Sequence, residues 1–531
     1  MIRKNLRWMA AMVLATNLTI TMPKSLFAGQ GDEKPQTSKT GAPTTTPIKH
    51  LVVIFQENVS FDHYFATYPV ATNPAGESQF TASPNTPSVN GLTPGLLSKN
   101  PNAATNSTFA PVRLDPSQNY TCDQNHDYTP EQQAFDSGLM DKFPEFTATP
   151  CTSFPNLASL GADVVMGYYD GNTVTGLWNY AQFFAMNDNH FGTNFGPSTP
   201  GALNVTSGMT GNADLRHSID DSSGDLEKDV VNDSVIGDAD PFYDDCGAPD
   251  QTSLYGKNIG NLMNAKGVTW GWFQGGFTPS SVSNGKAVCA TKTPRLDGTL
   301  EAAYSAHHNP FEYYASTANI HHTPPANTKE IGHGGPANHI YDLSQFFVAL
   351  AAGNLPSVSY LKANRAQDGH PGNSSPLDEQ NFIVTTINTL QASPFWDSTA
   401  VIITWDDSDG WYDHVIGPIV NQSTSIADAL TGEGACGLGA NTLGGMQSRC
   451  GYGPRIPFLV ISSFAKQNFV DHSLIDQSSV VRFIEDNWSL GRIGVGSFDQ
   501  IAGPITNMFD FNVQHTTPVI LDPLTGQVTS K

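Results

Sequence analysis

The run Thr399–Trp405 constrains the fold more than any other part of this sequence. It is β-branched and mostly apolar, and it stops at two adjacent carboxylates, Asp406 and Asp407. A strand without polar alternation is typical of a parallel sheet that helices cover on both faces. Such sheets bind ligands just beyond the carboxyl ends of their strands. Two carboxylates fixed there repel each other unless a cation or a proton lies between them. The segment therefore predicts a metal-dependent site, with a pair of solvated turn acids as the alternative.

Other apolar runs share this character, and helical patterns lie between them. We predict further strands at residues 48–55, 357–361 and 456–461, and helices at residues 176–186, 340–352 and 380–390. Strands that alternate with helices predict an α/β fold. We expect a doubly wound, mostly parallel central sheet with helices on both faces and long loop insertions.

The chain is divided by composition. We predict a signal peptide at 1–28, a disordered leader at 29–46, a catalytic domain at 47–511 with insertions near 80–118 and 212–245, and a C-terminal tail at 512–531. Basic residues precede a short apolar run near the N-terminus, with cleavage expected near Ala28, which predicts export to the periplasm or the medium. The acidic insertion at 212–245 lacks the spacing of an EF-hand loop and is predicted to be solvated. No later apolar run is long enough for a transmembrane segment.

Cysteine content and net charge narrow the choice of partners. An even count of cysteines in an exported chain favours disulfides. We predict that near neighbours pair: Cys122 with Cys151, Cys246 with Cys289, and Cys436 with Cys450. The formal net charge of −23 offers no basic surface for phosphates, so it argues against a nucleic-acid partner.

A second strand ends as Thr399–Trp405 does. The predicted strand at 48–55 is followed closely by Glu57 and Asn58, a carboxylate and an amide oxygen. If the two strands are neighbours, Glu57, Asn58, Asp406 and Asp407 converge on one cation. Their oxygens suit a hard cation, and zinc also accepts carboxylates.

A nucleophile is expected near the N-terminus of a helix. Pro200 is well placed as a first helical residue, which puts Ser198 or Thr199 where free backbone N–H groups face an anion. A cation in contact with the hydroxyl oxygen favours the alkoxide. The alternative is that Ser198 is simply the N-cap of the helix.

Several histidines lie in loops rich in Asp, Gly and Asn. They are His126, His307, His308, His370 and His414. An isolated histidine is more often a surface or core residue than a catalytic one. Near the strand ends, these side chains are suited to bind phosphoryl oxygens or to protonate a leaving alkoxide.

A series of ordered motifs carries a family resemblance. They lie at residues 57–65, 126–128, 138–141, 196–200, 308–311, 368–370, 404–407, 412–415, 483–488 and 508–511. With these motifs the chain resembles the bacterial phospholipase C and acid phosphatase family, which is itself similar in fold to the alkaline phosphatase and arylsulfatase superfamily. The resemblance covers about residues 47–511.

The resemblance implies roles for individual residues. The implied metal ligands are Glu57, Asn58, Ser198, Asp406 and Asp407; the implied catalytic residues are Ser198, His126, His308 and His370; His307 and Thr199 are expected to bind phosphate. It implies one divalent metal ion, with zinc favoured. The expected activity is that of a phospholipase C on glycerophospholipids of the phosphatidylcholine type.

Some positions depart from the family pattern. Val59 stands where many members have Arg, and Ala66 where many have Gly. Gly201 and Ala202 occupy the stretch where related enzymes carry an Arg after the nucleophile, so this stretch lacks an Arg that could position the substrate. A broad acid phosphatase acting on monoesters is the main alternative. A sulfatase and a non-catalytic secreted binding protein are more distant ones.

Overall fold

An eight-stranded mixed sheet lies at the centre of the computed structural model, which describes residues 42–103, 110–217, 229–437 and 446–530. In chain order its strands are β1 (His50–Gln56), β2 (Ala185–Asn187), β3 (Trp270–Gln274), β4 (Ile340–Asp342), β5 (Val358–Lys362), β6 (Thr399–Trp405), β7 (Phe458–Ser462) and β8 (Phe469–Asp471). Across the sheet the order is β4-β3-β5-β1-β6-β7-β2-β8. Every neighbouring pair in it is parallel except the two that involve β7. The predicted α/β fold with a mostly parallel sheet is confirmed.

The strands that were predicted from apolar runs form the middle of the sheet. Strand β1 lies between β5 and β6, and Ile54 pairs with Leu361 on one side and Ile403 on the other. Every residue of β6 is buried. Continuous burial explains why the run lacks polar alternation, because helices cover both faces of a parallel sheet.

Helices lie on both faces of this sheet. The α-helices are α1 (Phe61–Phe65), α2 (Pro94–Ser98), α3 (Tyr128–Phe135), α4 (Phe143–Phe146), α5 (Thr175–Phe183), α6 (Ser198–Ser207), α7 (Ile259–Lys266), α8 (Leu343–Ala351), α9 (Pro376–Gln391) and α10 (Ser478–Trp488). Tyr360 of β5 donates to the Val205 carbonyl of α6 at 3.3 Å, and the Trp405 indole of β6 donates to Glu379 of α9 at 2.8 Å. Tyr360 pairs with Val53 of β1, and Trp405 pairs with Gln56 of the same strand. Side chains three residues apart along a strand point to opposite faces of the sheet, so α6 and α9 cover opposite faces.

Two predicted helices were wrong at one end. The helix predicted at 176–186 ends at Phe183, because Phe184 takes a non-helical conformation and the chain continues as β2. The helix predicted at 340–352 begins with β4, and α8 starts only after Asp342, whose side chain accepts from the Ser344 N–H as an N-cap. Strand β2 follows α5 and strand β4 precedes α8, and in both places the sequence stays hydrophobic across the boundary.

Short strands form small sheets outside the centre. They are Val112–Arg113 with Gly167–Tyr168; His190–Phe191 with Ile475–Asp476; Ala213–His217, Asp240–Pro241 and Gln251–Leu254; Val230–Val231 with Ser234–Val235; Ser281–Ser283 with Lys286–Val288; Lys292–Pro294 with Leu300–Ala302; and Ile520–Leu521 with Val528–Ser530. The last pair belongs to the segment predicted as a C-terminal tail, and it contacts α9.

The predicted disulfides are confirmed. Cys122 pairs with Cys151, Cys246 with Cys289, and Cys436 with Cys450, with Cα–Cα distances of 5.3, 5.8 and 5.7 Å. The chain between Cys246 and Cys289 includes β3 of the central sheet.

The structure describes only part of the N-terminal segments predicted as a signal peptide and a leader. The signal peptide predicted at 1–28 and most of the leader lie outside the described residues. Within 42–46, the Thr45 N–H donates to the Asn487 carbonyl at 2.8 Å, so the end of the predicted leader is attached to α10. In the described ranges, no helix has both the length and the apolar character that crossing a bilayer requires.

Candidate active site

The ends of β1 and β6 bring the four predicted oxygen ligands to one edge of the sheet. Glu57 and Asn58 follow β1, and Asp406 and Asp407 follow β6, its parallel neighbour. The Asn58 backbone N–H donates to Asp406 Oδ1 at 2.8 Å, and the Val59 N–H donates to the Asp407 carbonyl at 2.9 Å. All four predicted ligands are buried.

Three oxygens of this group lack hydrogen-bond partners. They are Asn58 Oδ1, Asp406 Oδ2 and Asp407 Oδ2. Burial, and then the charge of Asp406, raises the pKa of the Asp407 carboxyl well above its ordinary value. Buried oxygens without donors are costly unless a cation or a proton meets them. This donor set therefore fits a cation that prefers oxygen ligands.

Two groups of ligand-type side chains flank the aspartate pair. In the described part of the chain, Glu57, His308 and Asp368 form one group and Asp123, His126 and Asp409 another, each with donor atoms that all lie within 4.8 Å of one another. Asp406 and Asp407 belong to neither group. Titratable groups beyond the four predicted ligands therefore adjoin both strand ends.

Asn58, which follows β1, has a left-handed backbone conformation. Its φ of 61° lies in the left-handed region, which asparagine adopts more readily than most residues. Its side-chain amide donates to Asp409 Oδ1 at 2.9 Å, which leaves Oδ1 of Asn58 for another ligand. The structure thus orients this oxygen through a residue that the sequence analysis did not single out.

The hydroxyl of Ser198 lies against Glu57. Ser198 is the first residue of α6, and its Oγ donates to Glu57 Oε2 at 3.1 Å. The helix was predicted to begin at Pro200, but it begins two residues earlier, at Ser198. The alternative that Ser198 is the N-cap was also wrong, because Pro197 holds that position. Ser198 is buried, so its hydroxyl is held among charged groups and not in bulk water.

Gly201 permits the close approach of α6 to the end of β6. A Cβ atom at this position would lie 2.1 Å from the Asp406 carbonyl oxygen. Only glycine fits such a contact with backbone. The residue that departs from the family pattern thus sets the distance between the nucleophile's helix and the aspartate pair.

Lys362 is a buried cation that the sequence analysis missed. Its ammonium forms an ion pair with Glu57 Oε1 and lies 3.9 Å from Asp406 Oδ2. Burial lowers the pKa of Lys362, but Glu57 and Asp406 raise it more, so the net shift is upward. The signal was available, because Lys362 ends β5 as Glu57 and Asp406 follow β1 and β6.

His308 contacts the same carboxylate. Its Nδ1 lies 3.1 Å from Glu57 Oε1. Burial, and then the charges of His307 and Lys362, lowers the pKa of His308 well below its ordinary value. The ring centroid of His307 lies 4.5 Å from that of His308, which places the two predicted residues together.

His126 lies beside Asn58 and Asp409. Its Nδ1 lies 3.4 Å from Asp409 Oδ1, and its Nε2 lies 3.4 Å from Asn58 Nδ2. Burial lowers the pKa of His126, but Asp407 and Asp409 raise it more, to well above the ordinary value. The ring centroid of His370 lies 6.5 Å from that of His126, so His370 belongs to the same edge of the site.

The acidic insertion supplies two further carboxylates. Asp238 Oδ1 accepts from the Thr199 N–H at 2.9 Å, and Asp240 Oδ1 lies 3.1 Å from Nδ1 of His307. The prediction that this insertion is solvated was wrong at Asp240, which is buried where residues of the insertion pack against Leu203 of α6. A run of acidic residues gave no signal for which of them are buried.

One candidate histidine lies elsewhere. His414 Nδ1 lies 2.6 Å from Asp62 Oδ2, in a separate cluster with Asp413 and Arg455. In the described structure, its contacts are with this cluster and with Asn90.

The chain is similar in sequence to a protein family and to several individual proteins. The model of the Phosphoesterase family matches residues 48–491. The chain is 24% identical over 502 residues to phospholipase C A of Mycobacterium tuberculosis, which covers 91% of this chain and 81% of that protein. It is 24% identical over 496 residues to a non-hemolytic phospholipase C of Burkholderia pseudomallei, with 90% and 61% covered.

Two further similarities are more limited. Over 186 residues the chain is 30% identical to a non-hemolytic phospholipase C of Pseudomonas aeruginosa, which covers 34% of this chain and 27% of that protein. The chain thus spans less than two thirds of the length of the Pseudomonas and Burkholderia relatives. A solved protein of the alkaline phosphatase superfamily from Vibrio parahaemolyticus aligns at 11% identity with a TM-score of 0.29, over 74% of this chain and 77% of that one.

Proposed function

The chain belongs to the Phosphoesterase family, and from that premise we propose that it is an exported, metal-dependent phospholipase C that hydrolyses glycerophospholipids with Ser198 as the nucleophile. One observation carries the proposal: the buried Ser198 hydroxyl donates to Glu57, beside oxygens of Asn58, Asp406 and Asp407 that lack partners. Disulfides and phospholipase C relatives support export.

Five residues would hold one divalent cation. They are Glu57, Asn58, Ser198, Asp406 and Asp407, and zinc is the first expectation because it accepts carboxylates as well as hydroxyl oxygen. When bound, such a cation favours the alkoxide of a serine and offsets the negative charge of a phosphoryl group.

The chain's own groups account for proton movement in the first step. Ser198 Oγ attacks phosphorus, and its proton passes to Glu57 Oε2, the acceptor of its hydrogen bond. The bond between phosphorus and the glycerol oxygen breaks. His126, in its protonated form, donates a proton to that oxygen, so diacylglycerol leaves neutral and the headgroup phosphate stays on Ser198.

A water molecule completes the cycle. His126, now neutral, accepts a proton from the water as its oxygen attacks phosphorus. The bond between phosphorus and Ser198 Oγ breaks, and Glu57 returns the proton to the hydroxyl. His307 and His370 are placed to bind the phosphoryl oxygens.

The names of the relatives favour a lipid substrate, and a direct comparison tests it. Purified protein is assayed for diacylglycerol release from phosphatidylcholine vesicles and for hydrolysis of p-nitrophenyl phosphate. We expect diacylglycerol release that is lost in Ser198→Ala. Strong turnover of the monoester without diacylglycerol release would replace the proposal with a broad acid phosphatase.

A further inference from the structure

Asp238 provides the N-terminus of α6 with a negative charge from outside the helix. The N-cap residue, Pro197, offers no side-chain hydrogen bond, and Asp238 Oδ1 instead accepts from the Thr199 N–H at 2.9 Å. Thr199 follows the nucleophile directly. Asp238 therefore occupies a helix end, one residue from the nucleophile, where an anion would otherwise bind.

The charge of the same carboxylate acts on two histidines of the site. After the lowering by burial, Asp238 is the largest of the influences that raise the pKa of His307, and it also raises that of His126. Charges act strongly only over short distances in a protein. Asp238 is partly exposed, whereas Asp240 next to His307 is 9% exposed. Asp238 is thus the more solvent-accessible of the two carboxylates.

We propose that Asp238 determines which phosphate esters the site accepts, by favouring phosphodiesters with one negative charge over phosphomonoesters with two. The inference rests on the proposed function and narrows its substrate class. A phosphomonoester is close to doubly charged at neutral pH, whereas a diester carries a single charge. Repulsion by a fixed carboxylate grows with the charge of the phosphate, so it disfavours the monoester more.

Two variants separate the charge of Asp238 from its hydrogen bond. Asp238→Asn keeps an oxygen acceptor for the Thr199 N–H and removes the charge, whereas Asp238→Ala removes both. Asp233→Asn is the matched control, because Asp233 is an exposed carboxylate on the same segment. Thermal unfolding of each variant checks that α6 remains folded.

Three chromogenic substrates measure the effect on turnover. They are p-nitrophenyl phosphate, bis(p-nitrophenyl) phosphate and p-nitrophenyl phosphorylcholine, which share a leaving group. We expect Asp238→Asn to raise kcat/KM for the monoester about tenfold relative to both diesters, the scale of one unit charge in a partly solvated site. An unchanged ratio in Asp238→Asn would overturn the inference. A change in the kcat/KM ratio of the monoester to p-nitrophenyl phosphorylcholine, without a change in its ratio to bis(p-nitrophenyl) phosphate, would also overturn the inference. That outcome would mean that Asp238 recognises the cationic headgroup.

A binding measurement keeps this inference separate from the proposed function. Inorganic phosphate and dimethyl phosphate are titrated into wild type and Asp238→Asn by calorimetry at pH 8. We expect inorganic phosphate to bind about tenfold more tightly to the variant, with little change for dimethyl phosphate. If wild type hydrolyses none of the esters, the proposed function fails, and unchanged phosphate affinity would then independently refute the role of Asp238.

Discussion

The same two chain segments build two buried clusters that treat their carboxylates differently. Residues 57–62 and 406–414 contribute to the active site at one end and, at the other, to an arginine cluster of Asp62, Asp413, His414 and Arg455. In the arginine cluster each oxygen of Asp62 and Asp413 accepts a hydrogen bond, from Arg455, from His414 or from backbone N–H groups. In the active site, Asp406 and Asp407 each keep one oxygen without a partner.

The difference shows how the chain separates a structural ion cluster from a functional one. The planar guanidinium of Arg455 carries five donors and reaches both carboxylates at once, at 3.0 and 3.1 Å. Lys362 offers one ammonium and forms its ion pair with Glu57, so Asp406 and Asp407 are left for a ligand. We therefore expect changes in the active site to affect catalysis and changes in the arginine cluster to affect folding.

The strongest test of the comparison removes the nucleophile. Ser198→Ala is expected to lower kcat at least about a thousandfold, because no other hydroxyl donates to Glu57 in the described structure, while the free energy of unfolding changes little. Ser207→Ala at the other end of α6 is the control and should retain activity within about twofold. Turnover is measured with phosphatidylcholine vesicles. Activity in Ser198→Ala close to that of wild type would contradict the assignment.

Removal of the arginine should act on stability. Arg455→Met leaves two buried carboxylates without their cation, and we expect the free energy of unfolding to fall by about 3–5 kcal/mol. Lys142→Met breaks an exposed ion pair with Asp136 and should cost about 1 kcal/mol or less. Urea unfolding measures both. Equal losses in the two variants would show that the arginine cluster is no more important than a surface pair.

Chelation should affect only the active-site cluster. Treatment with EDTA is expected to abolish activity and to lower the free energy of unfolding by about 3 kcal/mol, since a ligand that binds only the folded state stabilises it. The Asp406→Asn, Asp407→Asn double variant, which lacks two of the proposed ligands, should show no further decrease. Thermal unfolding and elemental analysis before and after treatment decide the outcome. Full activity in metal-free protein would refute the metal site.

Glu379 is a third buried carboxylate, and its charge is neutralised by a proton and not by an arginine or a metal ion. Glu379 accepts from Tyr64 and Trp405, and burial raises its pKa to about 8. The unfolded chain ionises this group near its ordinary pKa of about 4.5, so folding binds a proton between these values. Stability should therefore fall as pH rises from about 4.5 to 8.

Replacement of Glu379 isolates this dependence. In Glu379→Gln the fall should be shallower by about 1 kcal/mol per pH unit, because one titrating group is gone. Unfolding by urea at several pH values gives the slopes. Parallel slopes for wild type and variant would mean that Glu379 is ionised in the folded chain.

The sequence predicted the middle of the fold well and its edges poorly. Strand β6 was predicted with its observed bounds, and the strand predicted at 48–55 corresponds to His50–Gln56, because buried central strands are apolar throughout. Strands β2 and β8 were missed, since each spans three residues and no periodicity develops over that length. Short edge strands take their structure from the neighbours they pair with.

The candidate site was predicted in part for similar reasons. Strand ends located Glu57, Asn58, Asp406 and Asp407 because parallel neighbours share one edge. Lys362 was missed because the strand was ended one residue early. Asp238 was not predictable, since its contact with Thr199 depends on how a loop of acidic residues folds back onto α6.

Gly201 has a consequence for any attempt to redesign this protein. The obstacle that a side chain there would meet is backbone, so no rotamer change in a neighbour can make room for it. Libraries that vary the start of α6 in order to widen the substrate range should hold this position fixed. The backbone contact between Gly201 and Asp406 then keeps the distance between Ser198 and the aspartate pair constant. Side chains around this contact can be exchanged without changing that distance.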